Sequence, residues 1–400
     1  MTVLEKEAVE TKLDKSNEKK AKVRDYSVDL IRIFACFTVI LMHLSLHIYN
    51  IYDIQVDWSR LFEKAFFTEG IPLFFMITGF FITNGRTYKK IWKGTIKKVL
   101  IPVAFYVVLS QIFYKFIVNQ ETFIECLRNW YLYINLPGIT EAILKADLTP
   151  LQGICDHLWY IFSYVKVMIW VPVLWLVCKD EPIPNLARRI MIVLQFLHML
   201  LIDIQRFYVL PMGEISSFTI IDFEIIYVLL GYEMFRHKDM IKGNKKLRWI
   251  SLAVFIIGNI LRYKLEQQLM IMNSYTDIMG RATFVEWRYT SLNVITGIFT
   301  FAFFYTYNVT NLKFQKILEW ISDKTFGIYL VHYLILAKID LFKFEPLGKL
   351  WQELLYLGLG LIVVFCSSIV FVMLIRKIKD IVLKFFSFTF NKIKTKKSET

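Results

Sequence analysis

Four ionisable residues stand inside one hydrophobic run: Asp29, Arg32, His43 and His47 within YSVDLIRIFACFTVILMHLSLHIYN. Charge inside an apolar span is costly and usually has a partner or a task. On a helix, Arg32 and His43 are offset by only about 20° after three turns and separated by about 16.5 Å along the axis. His47 lies one turn beyond His43, and Asp29 nearly one turn before Arg32. With Cys36 they form one polar stripe that should face the protein interior. A neutral imidazole at depth suits proton or acyl transfer near neutral pH, or hydrogen bonding to a neighbouring helix. Arg32, nearer the inner end, can instead snorkel to lipid phosphate with Asp29 as its counter-ion.

The stripe needs a scaffold, and the composition says which kind. The chain is 56% hydrophobic with mean hydropathy +0.47, too apolar for an ordinary soluble domain of 400 residues. Ten runs are long enough to cross about 30 Å of hydrocarbon. They fall near 27–50, 66–84, 98–118, 158–178, 188–204, 219–235, 248–264, 290–308, 320–340 and 354–376. With the N-terminus inside, the inner segments hold about 32 Lys and Arg against about 9 outside, the bias that sets orientation. The expected fold is therefore an all-α membrane protein: a polytopic bundle of about ten transmembrane helices with both termini cytoplasmic. A basic cytoplasmic tail spans 1–25, the transmembrane domain 26–376 and a second basic tail 377–400. Within that tail, 377–390 could lie along the inner surface as an amphipathic helix.

A formal net charge of +14 raises nucleic acid as a partner, but the charge sits in tails and short loops, where membrane anchoring explains it. The five cysteines show no CxxC spacing, so no zinc knuckle or dithiol site is indicated. Cys36 and Cys366 lie in spans and read as packing residues. Cys126 and Cys155 share one outer loop, 119–157, which also holds the interfacial stretch FIECLRNWYLYI. The first 25 residues lack the apolar core of a cleavable signal, so the first span should itself direct insertion.

Five segments in order add a resemblance. They are RDYSVDLIRIFACFTVILMH, GIPLFFMITGFFI at 70–82, KKIWKGTIKKVLIPVAFY at 89–106, DHLWYIFSYVKVMIWVPVLW at 156–175 and SDKTFGIYLVHYLIL at 322–336. Together they are similar to the acyltransferase-3 family of integral membrane proteins over about residues 24–376. Arg32 and His43 match that family's Arg-x10-His. Thr78 replaces its usual serine, and Gly79 allows close backbone approach. Lysines 89, 90, 93, 97 and 98 stand where relatives are often arginine-rich. A lysine attracts phosphate as a point charge without arginine's bidentate fork; positive-inside anchoring explains these lysines equally well.

The resemblance implies an enzyme that takes an acyl group, acetyl before succinyl, from cytoplasmic acyl-coenzyme A. The acceptor would be a hydroxyl of an extracytoplasmic or lipid-linked glycan. It implies His43, His332 and Arg32 as catalytic residues, with His43 as general base or transient acyl carrier and His332 as donor to the developing oxyanion. Arg32, Arg86, Lys89, Lys90, Lys97 and Lys98 would hold the coenzyme phosphates. His47, His157, Asp222 and Glu224 would bind the acceptor or orient His43, unless the two carboxylates simply sit in interfacial water at a late span start. Lys166 could neutralise a buried carboxylate. No metal and no permanently bound cofactor are implied. The location would be a bacterial cytoplasmic membrane, with lipids around the bundle and no nucleic acid. This chain would complete transfer unaided or with a separate extracytoplasmic or export partner. Competing readings are a glycan-precursor transporter or flippase and a non-catalytic component of a polysaccharide export complex.

Overall fold

The computed structural model describes residues 24–52, 66–117 apart from 84 and 86, 156–208, 222–271, 290–339 and 350–396, with isolated positions 122, 124 and 287. Arg86, Cys126, Cys155, the interfacial stretch FIECLRNWYLYI apart from Ile124, and the side chain of His47 lie outside the described residues. Among those described the chain is helical, without strands.

The major helices are α1 Tyr26–Tyr52, α2 Gly70–Phe80, α3 Tyr88–Thr95, α4 Ile101–Ile117, α5 Trp159–Val177, α6 Pro182–Tyr208 and α7 Phe223–Arg236. A short α8 Lys238–Ile241 follows. Then come α9 Lys245–Ile271, α10 Ser291–Tyr305, α11 Leu312–Ser322, α12 Thr325–Ile339 and α13 Leu350–Lys396. Each of the ten expected segments contains a helix. Three described stretches are both long and apolar enough to cross a membrane by themselves: Tyr26–Leu44, Trp159–Val177 and Leu354–Ile378. Exposed aliphatic and aromatic side chains such as Ile169, Leu186, Leu197, Ile257, Leu359 and Ile362 cover the outer faces of α5, α6, α9 and α13. In water such a surface would be a large apolar liability; against lipid it is the expected one.

Several boundaries differ from expectation for local reasons. The segment expected at 188–204 is α6, which begins at Pro182. A proline is well placed in a first turn, where its missing N–H is not needed. Arg188 can then be buried, because Glu233 at 2.5 Å, the Val177 carbonyl at 2.6 Å and Asn185 at 2.7 Å take up its donors. The helix that carries the span expected from 98 starts ten residues earlier, at Tyr88. Its lysines are helical already, and α3 joins α4 through a π-helical turn at Ile96–Leu100. Helix α13 runs unbroken to Lys396, so 377–390 continues the helix of the last candidate span, which ends at Ile378. Cys366 corrects an expectation: it is exposed, on the outward stripe of α13 with Ile362, Val363 and Val370, whereas Cys36 is buried.

Helix α1 is central, touching α2, α10, α11, α12 and α13. The tightest crossing joins α2 to α7. A methyl group added at Gly79 would stand 1.8 Å from the Val228 carbonyl oxygen, and one at Gly231 would stand 1.9 Å from that of Met76. Only hydrogen at both positions lets these backbones meet, as small residues do in membrane helix pairs. Polar ties gather helix ends as an alternating bundle requires. At the N-terminal end of α1, Tyr305 Oη donates to Asp25 at 2.7 Å, Lys242 pairs with Asp25 at 2.9 Å and Ser27 Oγ donates to the Tyr307 carbonyl at 2.6 Å.

Candidate active site

The polar stripe on α1, His47 lying outside the described side chains, meets the end of α11 and helix α12. Asp29, Cys36 and His43 follow at intervals of seven along α1. They meet Ser322, Thr325 and His332 in turn: Ser322 Oγ donates to Asp29 at 2.7 Å, Cys36 Sγ lies 3.9 Å from the Thr325 carbonyl oxygen, and the His43 and His332 ring centroids are 5.2 Å apart. Helices α1 and α12 therefore run parallel, with their polar faces together.

At the far end of this seam stands a third imidazole. His157 lies on the 3-10 turn Asp156–Leu158 that leads into α5, and is buried. Its ring is 5.0 Å from His332 and 6.4 Å from His43, and it stacks on Tyr333 at 5.0 Å. Tyr329 fastens the group. Its hydroxyl donates to the His157 carbonyl, and its own carbonyl lies 2.6 Å from His332 Nδ1. A carbonyl oxygen can only accept, so Nδ1 carries the hydrogen and a neutral His332 presents a bare lone pair at Nε2. Nε2 is buried and has no hydrogen-bond partner among the described residues. The donor role expected of His332 would require a second proton; in its neutral form it is a base.

At the opposite end of the stripe Arg32 lies half-buried, 2.9 Å from Asp29 and over the Phe81 ring at 5.7 Å. Asp29 is fully buried and also receives Arg24 at 2.6 Å. Partial burial pulls the Arg24 guanidinium down, but hydrogen bonds to Asp29 and Asp323 outweigh it and hold the group above its ordinary value, firmly charged. Arg24 further reaches Glu319 at 3.3 Å and Asp323 at 2.8 Å. Arg32 therefore sits in a mixed-charge cluster. Lys89, Lys90, Lys97 and Lys98 are exposed along α3 and the π-helical turn. Helix α3 packs on α5, partly through Tyr88 against Trp175.

The remaining expected residues divide. Asp222 is paired with Lys166 at 3.4 Å, both partly exposed, so Lys166 neutralises a rim carboxylate and not a buried one. Glu224 is buried, accepts from Ser163 Oγ at 2.7 Å and lines a narrow cleft. Neither carboxylate joins the histidines. Among the described residues no cluster of His, Cys, Asp and Glu has the arrangement of a metal site.

Sequence reasoning missed a buried ion pair. Arg262 on α9 and Glu69, which immediately precedes α2, are both inaccessible and bonded to each other. Arg262 also donates to Thr68, to Asn293 at 2.6 Å and to Asn259 at 3.0 Å. The signal was present: each residue is an ionisable group inside a segment read as a span, the same criterion that singled out Asp29 and Arg32.

Three converging histidines, two on the parallel helices α1 and α12 and one on the turn before α5, inside a strongly apolar bundle define a class, a membrane protein with a built polar interior. A comparison with protein families matches residues 25–373 to an acyltransferase domain. The chain belongs to the acyltransferase-3 family, and at that level it is a membrane acyltransferase. A search of curated proteins gives no match, and a search of solved structures gives none.

Proposed function

We propose that this protein is a multi-pass enzyme of a bacterial cytoplasmic membrane, with ten spans and both termini in the cytoplasm. It moves an acyl group, acetyl foremost, from cytoplasmic acyl-coenzyme A to a hydroxyl of an extracytoplasmic or lipid-linked glycan. The observation that carries this reading is the convergence of His43, His157 and His332, from three separate parts of the chain, in the interior of an acyltransferase domain.

In the proposed reaction His332 Nε2 takes the proton of the acceptor hydroxyl while Tyr329 holds Nδ1. The freed oxygen attacks the thioester carbonyl, the carbon–sulfur bond breaks, and the imidazolium returns its proton to the leaving thiolate. A new ester and free coenzyme A result. The lone pair at Nε2 supports His332 as the base, in place of His43, expected as base or transient acyl carrier. His43 borders the reacting atoms as the second acid–base group or as a transient acyl carrier. Arg32, held by Asp29 about 16.5 Å along α1 from His43, would meet a coenzyme phosphate, a spacing suited to a long pantetheine arm. The exposed lysines at 89, 90, 97 and 98 would add attraction without a fixed geometry.

The test is transfer of label from acyl-coenzyme A to membrane glycan by purified protein in proteoliposomes. Labelled glycan that disappears with His332→Gln supports the reading. Movement of glycan across the bilayer without label transfer would replace it with a transporter.

A further inference from the structure

The run expected to cross the membrane at 320–340 is broken near its start. Helix α11 ends at Ser322, Asp323 and Lys324 turn the chain, and α12 begins at Thr325. Helix α11 has its own cap: the Asn311 side chain accepts from the Lys313 and Phe314 N–H groups at 2.9 and 3.1 Å. Its 11 residues extend about 16.5 Å, too short to cross the hydrocarbon. Both flanks return to the first turn of α1. Ser27 donates to the Tyr307 carbonyl before α11 at 2.6 Å, and Ser322 at its end donates to Asp29 at 2.7 Å. Ser27 and Asp29 differ by about 3 Å along the axis of α1. The chain therefore enters and leaves α11 at nearly one level, the end of the bundle where α10 stops and α12 starts.

The faces of α11 are unequal. Leu318 and Ser322 are buried. At 100° per residue, Lys313, Lys316, Ile317 and Trp320 fall within about 60° of the opposite direction, with Leu312 and Phe314 on the flanks. All six are exposed: Leu312 by 73%, Phe314 by 44%, Ile317 by 53% and Trp320 by 47%, with both lysines open as well. Glu319, the helix's carboxylate, is engaged by Arg24 at 3.3 Å. Neither lysine has a carboxylate partner among the described residues.

This mixture discriminates between possible surroundings. Water would accept the lysines but not Ile317 and Trp320 between them. A protein partner closing over the apolar groups would bury two unpaired ammonium groups, which is costly. The boundary of a bilayer takes both: the indole and aliphatic groups reach the upper acyl chains, and the lysine stems lie along them with their heads at the phosphates. We infer that α11 is an in-plane helix docked on the lipid surface at the N-terminal end of α1, and that Lys313 and Lys316 hold anionic phospholipid headgroups there. The docking depends on no step of acyl transfer.

The full chain in nanodiscs provides the test. Ile317, Trp320, Asp180 and Ile362 are replaced one at a time by p-acetylphenylalanine carrying a nitroxide, which leaves the native cysteines in place. Asp180, in the exposed turn between α5 and α6, reports water, and Ile362 on the outer face of α13 reports lipid. Power saturation compares collisions with oxygen, which concentrates in lipid, and with an uncharged nickel chelate, which stays in water. The oxygen-to-nickel ratio at Ile317 and Trp320 should exceed that at Asp180 by about fivefold or more, as for an interfacial helix. Replacing about one-third of a phosphatidylcholine bilayer by phosphatidylglycerol should raise the ratio at Ile317 about twofold, and Lys313→Gln/Lys316→Gln should abolish that rise. A ratio at both sites equal to that at Asp180 would place α11 in water and overturn the inference. Exclusion of both reagents would show a protein covering, with the same consequence. No response to phosphatidylglycerol, or a response that survives the double variant, would overturn the headgroup site.

Discussion

His43 and His332 stand with ring centroids 5.2 Å apart and planes tilted by 43°, on two helices that run parallel from the same end of the bundle. The pairing follows from the register Asp29–Ser322, Cys36–Thr325, His43–His332, so the geometry of the candidate site is set by helix packing along about four turns of α1. A change in that seam should reach chemistry through position.

His332→Gln and His43→Ala should each lower labelled acyl transfer by about 10²–10⁴-fold, the usual range for a lost acid–base group. Expression and membrane insertion should persist. If the two imidazoles act as a unit, the double variant should be little worse than the poorer single one. Full activity in His332→Gln would remove the base role proposed for Nε2.

Tyr329→Phe separates fastening from chemistry. It deletes the hydroxyl that ties α12 to the His157 carbonyl but leaves the backbone carbonyl on His332 Nδ1. The expected result is a fall of about tenfold in kcat, from one lost hydrogen bond of about 1.4 kcal/mol, with little change in KM for acyl-coenzyme A. A loss as deep as that of His332→Gln would mean that the phenol itself takes part in the reaction.

Asp29→Asn should act on the donor end. The buried carboxylate collects Arg24, Arg32 and Ser322. Neutralising it frees Arg32 to wander, and the apparent KM for acyl-coenzyme A should rise several-fold while kcat changes less. Kinetics of donor dependence at saturating acceptor check this; an unchanged KM would detach Arg32 from the coenzyme.

Arg262→Met should be among the most damaging single changes. It leaves Glu69 charged, buried and unpaired, which costs about 3–5 kcal/mol. The double variant Glu69→Gln/Arg262→Gln removes both charges and should recover much of the loss. Thermal unfolding in detergent measures both. Additive losses in the double variant would show that the pair is not coupled.

Gly79→Ala and Gly231→Ala should each force α2 and α7 apart, because the new methyl would overlap a carbonyl oxygen. Reduced thermal stability is expected for both, by about 1–3 kcal/mol. Gly94→Ala, where a methyl meets nothing within 4 Å, serves as the control and should be tolerated.

The apolar runs determined by themselves that the chain would be helical and membrane-adapted, because backbone polar groups in lipid must be satisfied within each segment. Local spacing also determined the polar stripe of α1 and the small residue at Gly79, since a helix turns its residues by a constant angle. What lies between segments was decided only by tertiary structure. Nothing in the spacing of His157 and His332 says that their rings meet His43, and nothing near Glu69 names Arg262 as its partner. Lys166 alone could not choose between Asp222 and Glu224. Those pairings depend on which faces of distant helices the bundle presses together. The first helix supplied one histidine; that His332, more than 280 residues further on, stands beside it was decided by helix packing, while the contact of its Nδ1 with the Tyr329 carbonyl is local, three residues back on the same helix, and supports the base role proposed for it.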